Sequence, residues 1–212
     1  MIEIKNQFAR HGLFWMWVLP FALFLLLPAF VDREAMHVPA TELQMMQEVL
    51  GQDVDAITHR ADKVFDSLFL ETGMVKWSGS LFTSKLKEED PLFFRNLAKG
   101  SQKYHDNLWF MVYRAIWRLA GLWPTFLALM LAVAAPALID GIVVGAKKAD
   151  VFQPLNPVLF WSAGHTLVMV IGVFGLLPLL PYAISIQMLY GSIAAIAATL
   201  WITASNLQTG GR

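Results

Sequence analysis

Residues 13–31, LFWMWVLPFALFLLLPAFV, carry no charge at all. A helix needs about 20 residues to cross the hydrocarbon core of a bilayer. Within lipid, only a helix or a closed barrel satisfies its own backbone. Three more apolar stretches follow, at residues 119–139, 158–177 and 182–205. The fold expected is therefore all-α. It is a polytopic integral membrane protein with four transmembrane helices and an amphipathic helical segment outside the membrane, between the first and second spans. The composition agrees: 57% of the 212 residues are hydrophobic and 15% charged, against about half and a quarter in soluble domains.

Three regions follow. Residues 1–31 hold a short N-terminus and the first span. Lys5 and Arg10 precede that span, and Asp32, Arg33 and Glu34 follow it with no small-x-small cleavage site, so it reads as an uncleaved signal anchor. Pro20 and Pro28 are expected to kink it or fray its far end. Residues 32–107 carry 13 acids and 9 bases and form the extramembrane segment. Residues 108–212 form a three-span membrane domain ending in a helical hairpin, with PLLP at residues 178–181 as the reversal.

Within 32–107, Leu43, Met46, Leu50, Val54, Ile57, Ala61, Val64 and Leu68 recur in steps of three and four. That spacing predicts one helix of about 30 residues with a single apolar stripe. Thr41 and Gln44 form a capping-box signature, Gly51 offers a break and Gly73 a stop. A lone stripe needs a cover: a second amphipathic helix, the membrane surface or another protein. Residues 72–91 read as loop. A second amphipathic helix is expected from Pro91, with Leu92, Phe93, Leu97 and Tyr104 on its apolar side.

Arg114 and Arg118 share a helix face at the start of the second span, among Trp109, Trp117 and Trp123. Snorkelling at the membrane surface is the first reading, and lipid phosphates or an acidic partner the second. The basic residues ahead of the first span favour cytoplasmic termini, and Lys147 and Lys148 would then be cytoplasmic too. The 32–107 segment would face the periplasm. Lys99, Lys103, Arg114 and Arg118 argue the other way, but long loops cross largely regardless of charge. Asp140 closes the apolar run before Gly141. It marks the membrane boundary, or else lies one to two turns inside a longer helix, facing the bundle.

Small residues suggest helix contacts: Gly141 and Gly145, then Gly191, Ala195 and Ala198 on the fourth span. They serve packing within the chain first, and a partner or a second copy of the chain second. His165 lies inside the third span with Thr166 beside it. A neutral hydrogen bond to a neighbouring helix is the favoured role.

Chemistry finds little support. Cysteine is absent, and the five histidines include no H-E-x-x-H. No G-x-S-x-G, S-x-x-K, P-loop or G-x-G-x-x-G occurs. Net charge is zero, which argues against a nucleic-acid footprint. No enzyme, metal or cofactor is expected, and no internal repeat of the transporter kind is found.

The segment from Tyr113 to the C-terminus resembles a family of inner-membrane proteins of integrating conjugative elements and conjugative plasmids, a domain of unknown function. The matching features are Tyr113-Arg114, Pro124, Asp140-Gly141, Pro157 and Asn206-Leu207-Gln208. Such proteins are usually encoded near the type IV coupling ATPase. The resemblance implies an accessory inner-membrane component of a type IV secretion-like DNA-transfer apparatus. Its partners would be membrane lipid and proteins of the secretion complex, among them the coupling ATPase, with a homo-oligomer as a further expectation. Two rival functions remain open. A small transporter or channel would use His165, Thr166, Ser185 and Gln187. An exclusion or surface-recognition factor would act through residues 32–107.

Overall fold

The computed structural model describes residues 7–82, 91–154 and 156–207, with the backbone alone at 93–95 and 97. Lys5, the charge run 85–90, Gln208, Arg212 and the expected apolar side chains Phe93 and Leu97 lie outside the described residues. The described residues contain helices and no strand. Four helices are long and apolar enough to cross a membrane: Phe8–Phe30 (α1), Ala98–Asp150, Pro157–Leu176 and Ile186–Ser205.

Proline shapes the spans. Helical geometry in α1 relaxes into a π-type turn at Phe14–Val18, two residues before Pro20. Pro136 is likewise preceded by a π-type turn at Met130–Ala134. A proline ring clashes with the carbonyl four residues back, and a wider turn relieves that clash without ending the helix.

Four short elements follow α1. A 3-10 turn covers Arg33–Met36. Helix α2, Ala40–Gln44, runs into a π-type turn at Met45–Val49. Helix α3, Val54–Phe65, runs into another at Asp66–Leu70. Helix α4 is Met74–Phe82.

Three expectations are corrected here. The single long helix is divided, because Gly51 takes a left-handed φ of +61°. Asp53 then caps α3 by accepting from the amides of Asp55 at 2.9 Å and Ala56 at 3.2 Å. Thr41 is not a cap: α2 starts one residue earlier, and the Pro39 carbonyl accepts from Glu42 and Leu43. Part of the region read as loop is α4. Its serines fold back onto helix carbonyls, Ser78 onto Val75 and Ser80 onto Trp77, so their loop preference is met inside a helix.

Helix α5, Leu92–Leu129, continues through Met130–Ala134 into α6, Ala135–Asp150. The second amphipathic helix and the second span are therefore one element, and Asp140 does not end it. Helices α7, Pro157–Leu176, and α8, Ile186–Ser205, are capped by Asn156 and Ser185. Ser185 moves the start of the fourth span four residues beyond the expected Tyr182.

The chain divides into two compact units. The first holds the N-terminus to Pro20, Pro124–Leu177 and the chain from Ile184 onward. Its centre is Ala134, Ile196 and Ala197, flanked by Phe126, Met130, Leu167 and Leu200. Helices α6 and α8 cross in the same sense. A methyl group on Gly141 would lie 2.8 Å from the Trp201 carbonyl oxygen, and one on Gly145 would lie 2.9 Å from that of Ala204. Trp15 closes on Gly172 in the same way, at 2.7 Å. With Phe8 against Gly164, this makes α1 parallel to α7. The start of α1 thus shares an end with Lys148, which donates to the Ser205 carbonyl at 3.1 Å.

The second unit is Phe21–Trp123 with Pro178–Ala183. Met46, Ile57 and Ala61 are fully buried there. Met46 and Ile57 press against Gly121 of α5, so α5 covers the apolar stripe. Val64 and Leu68 are exposed instead, since the break at Gly51 rephases α3. Phe65 and Phe69 turn inward in their place, onto Trp109.

Candidate functional site

Arg114 and Arg118 sit one turn apart on α5, and they are 1% and 0% exposed. The snorkelling expectation is therefore overturned: neither guanidinium reaches solvent. A buried guanidinium is tolerable only when its donors are matched, and here they are drawn from two distant stretches.

The first stretch supplies the counter-charge. Glu42 of α2 is fully buried. It takes Nε and Nη2 of Arg118 on its two carboxylate oxygens, at 2.9 and 2.8 Å. This fork-to-fork geometry is the strongest pairing that a carboxylate makes. The second stretch supplies carbonyls. Residues 178–183 contain Pro178 and Pro181, which have no N–H and prevent helix, so their neighbours' carbonyls need outside donors. Arg118 donates to Leu180 at 2.6 Å, Tyr182 at 2.6 Å and Pro178 at 3.3 Å. Arg114 donates to Leu179 at 3.1 Å and also to the Ala35 carbonyl. Its Nε has no partner. The arginine pair thus locks the segment after the first span and the turn between the last two spans onto one helix.

The lock continues along α5. Asn107, fully buried, donates to the carbonyls of Pro28 at 3.0 Å and Val31 at 2.9 Å, closing the end of α1 where helical carbonyls lack partners. Tyr104 donates to Leu25 and Lys103 pairs with Asp32. Trp117 donates to Thr58, and Tyr113 to Asp62.

A nucleophile-like contact lies further along. Ser78 Oγ is 3.0 Å from His105 Nε2. Asp106 Oδ1 is 3.6 Å from His105 Nδ1, which is too long for a hydrogen bond. Ser78 lies mid-helix in α4, where backbone amides are engaged and cannot form an oxyanion hole. Trp109 donates to both Ser78 and His105, so the trio is a packing contact between α4 and α5.

The remaining sequence candidates belong to the first unit. Asp140 lies inside α6 and is exposed, and it accepts from Trp201 Nε1 at 2.7 Å. Trp201 is four residues from the end of α8, or about one turn. The helix runs on past Asp140 to Asp150, but the Asp140 side chain is exposed and does not face into the bundle; its partner is the indole of Trp201. Lys147 is exposed. Gly141 and Gly145 face α8, whereas Gly191 and Ala198 are exposed and Ala195 is half-buried. The buried face of α8 is instead Leu189, Ile193, Ile196 and Ala197. His165 Nδ1 is buried without a hydrogen-bond partner, and its ring lies 4.7 Å from that of His11. Thr166 donates to Ser162, and Ser185 caps α8, so neither converges on His165.

Glu42, Asn107 and the His11–His165 pair were not singled out in the sequence. Glu42 left one signal: it falls four residues before Met46 and so shares the apolar face, an unusual place for an acid.

A family described as IncC plasmid conjugative DNA transfer protein, DtrJ-like, matches residues 25–208. No curated protein and no solved structure matches the chain. The family match spans both compact units, and the chain belongs to this family of conjugative DNA transfer proteins.

Proposed function

We propose that this member of the DtrJ-like family is an accessory inner-membrane component of the conjugative transfer apparatus and acts through protein contacts. The family match over residues 25–208 carries the reading. The buried arginine pair supports it. Such a network holds Ala35, Glu42 and the turn 178–183 on α5 in one arrangement, as a scaffold requires and a moving gate does not. Partners are proteins of the transfer complex, with the coupling ATPase foremost. The membrane is the bacterial inner membrane, with both termini cytoplasmic, and the chain works without a catalytic step of its own.

The test is mating efficiency. Deleting the gene from the donor element should reduce transfer by orders of magnitude, and supplying the chain in trans should restore it. Unchanged transfer from the deletion strain would refute the assignment.

A second reading, a small transporter or channel, draws on the adjacent imidazoles of His11 and His165. It requires ion flux in reconstituted vesicles that is lost in His165→Ala.

A further inference from the structure

A cavity of about 390 Å³ opens between α3, α4 and α5 in the second unit. Its walls are aromatic: Phe65, Trp109, Phe110 and Tyr113, with His105 and Asp106 also in the lining. The rings pack edge to face. Phe65 meets Trp109 at 83° and Tyr113 at 81°, with centroids 6.0 and 5.5 Å apart. Packed edge to face on one another, these rings give the cavity an aromatic wall.

The wall offers a cation both ring faces and a carboxylate. An aromatic face is negative and attracts cations. Asp106 adds a carboxylate to the wall, and the wall residue Tyr113 donates its hydroxyl to a second carboxylate, Asp62, at 2.7 Å. Among the described residues no lysine or arginine pairs with either acid. An indole N–H can only donate, so the 3.0 Å contact from Trp109 makes His105 Nε2 an acceptor and puts the ring proton on Nδ1. The aromatic group already holds a cation within the chain: the Arg33 guanidinium lies 4.7 Å from the centroid of Phe110.

We propose that this cavity is a binding site for an organic ammonium group, seated among Phe65, Trp109 and Tyr113 with Asp106 as counter-charge. Two sources carry that chemistry: a phospholipid amine headgroup and a free small amine. The site is independent of the conjugative role, because it follows from the cavity lining alone.

The test uses the full chain in nanodiscs of phosphatidylglycerol, which carries no ammonium group. Choline is titrated and saturation-transfer NMR read on its methyl protons, against 3,3-dimethylbutan-1-ol, its uncharged isostere. Choline should bind saturably and the isostere about fivefold or more weaker. Asp106→Asn and Phe65→Leu should each weaken choline binding about fivefold while leaving the helical circular dichroism unchanged. Suppression of choline binding in phosphatidylethanolamine nanodiscs would identify the lipid headgroup as the source, and equal binding in both would identify a free amine. Equal binding of choline and its isostere, or no saturable binding, overturns the proposal. So does unaltered binding in either folded variant. Should a variant fail to fold, the comparison of choline with its isostere on the parent chain decides alone.

Discussion

Replacing Arg118 with methionine removes the cation and keeps the bulk. The structure defines what is lost. The buried Glu42 carboxylate loses both contacts of its fork, at 2.9 and 2.8 Å, and the carbonyls of Leu180 and Tyr182 lose donors at 2.6 Å. Removing one partner of a buried ion pair costs about 3–5 kcal/mol. For a chain of this size that lowers the melting temperature by about 6–20 °C. The double variant Glu42→Met/Arg118→Met removes the stranded charge, so it should lose about 1–3 kcal/mol less than the sum of the two single variants. Thermal unfolding in a mild maltoside detergent, followed by helical circular dichroism, reads both effects. Strictly additive losses, or an Arg118→Met melting point within about 2 °C of the parent, would refute the idea that this pair holds the unit together.

Glycine positions divide by what faces them. Gly141→Ala pushes a methyl against the Trp201 carbonyl and should destabilise by about 1–3 kcal/mol. Gly191→Ala meets nothing within 4 Å and should be neutral or stabilise by about 0.5–1 kcal/mol, in the same melting assay. Asp140→Asn keeps an acceptor for Trp201 and should lose less than about 1 kcal/mol. Asp140→Leu and Trp201→Phe both lose the bond, so their effects should not add in the double variant. Reporter fusions at Lys85 and Lys148 should report opposite sides of the membrane, with Lys148 cytoplasmic; a cytoplasmic signal at Lys85 would reverse the orientation.

The spans were legible because lipid imposes length and apolarity on each run separately, and that signal is local. Arg114 and Arg118 were legible as a pair for the same reason, since a four-residue step places them on one face. Their burial was not. It depends on Glu42, 76 residues away, and on Leu180, 62 away, and no periodicity reports contacts at that separation. Helix α4 was missed because its serines and glycine favour a loop locally, while Ser78 against His105 and Trp109 favours the helix. Asp140-Gly141 looked like an end because glycine and charge usually stop a span. Here glycine is what lets α8 approach, and the indole of Trp201 satisfies the carboxylate. The small residues of α8 divide: Ala197 and Ala204 lie on its buried face beside Leu189, Ile193 and Ile196, whereas Gly191 and Ala198 are exposed.

Partnership in the transfer apparatus is the central claim, and affinity purification of the tagged chain from mating-competent donor cells tests it most directly. In mild detergent the chain should retain the coupling ATPase or another transfer-complex protein, and Arg118→Met should reduce that retention. Clean separation from every transfer protein, by a chain that is folded and present at native level, would contradict it.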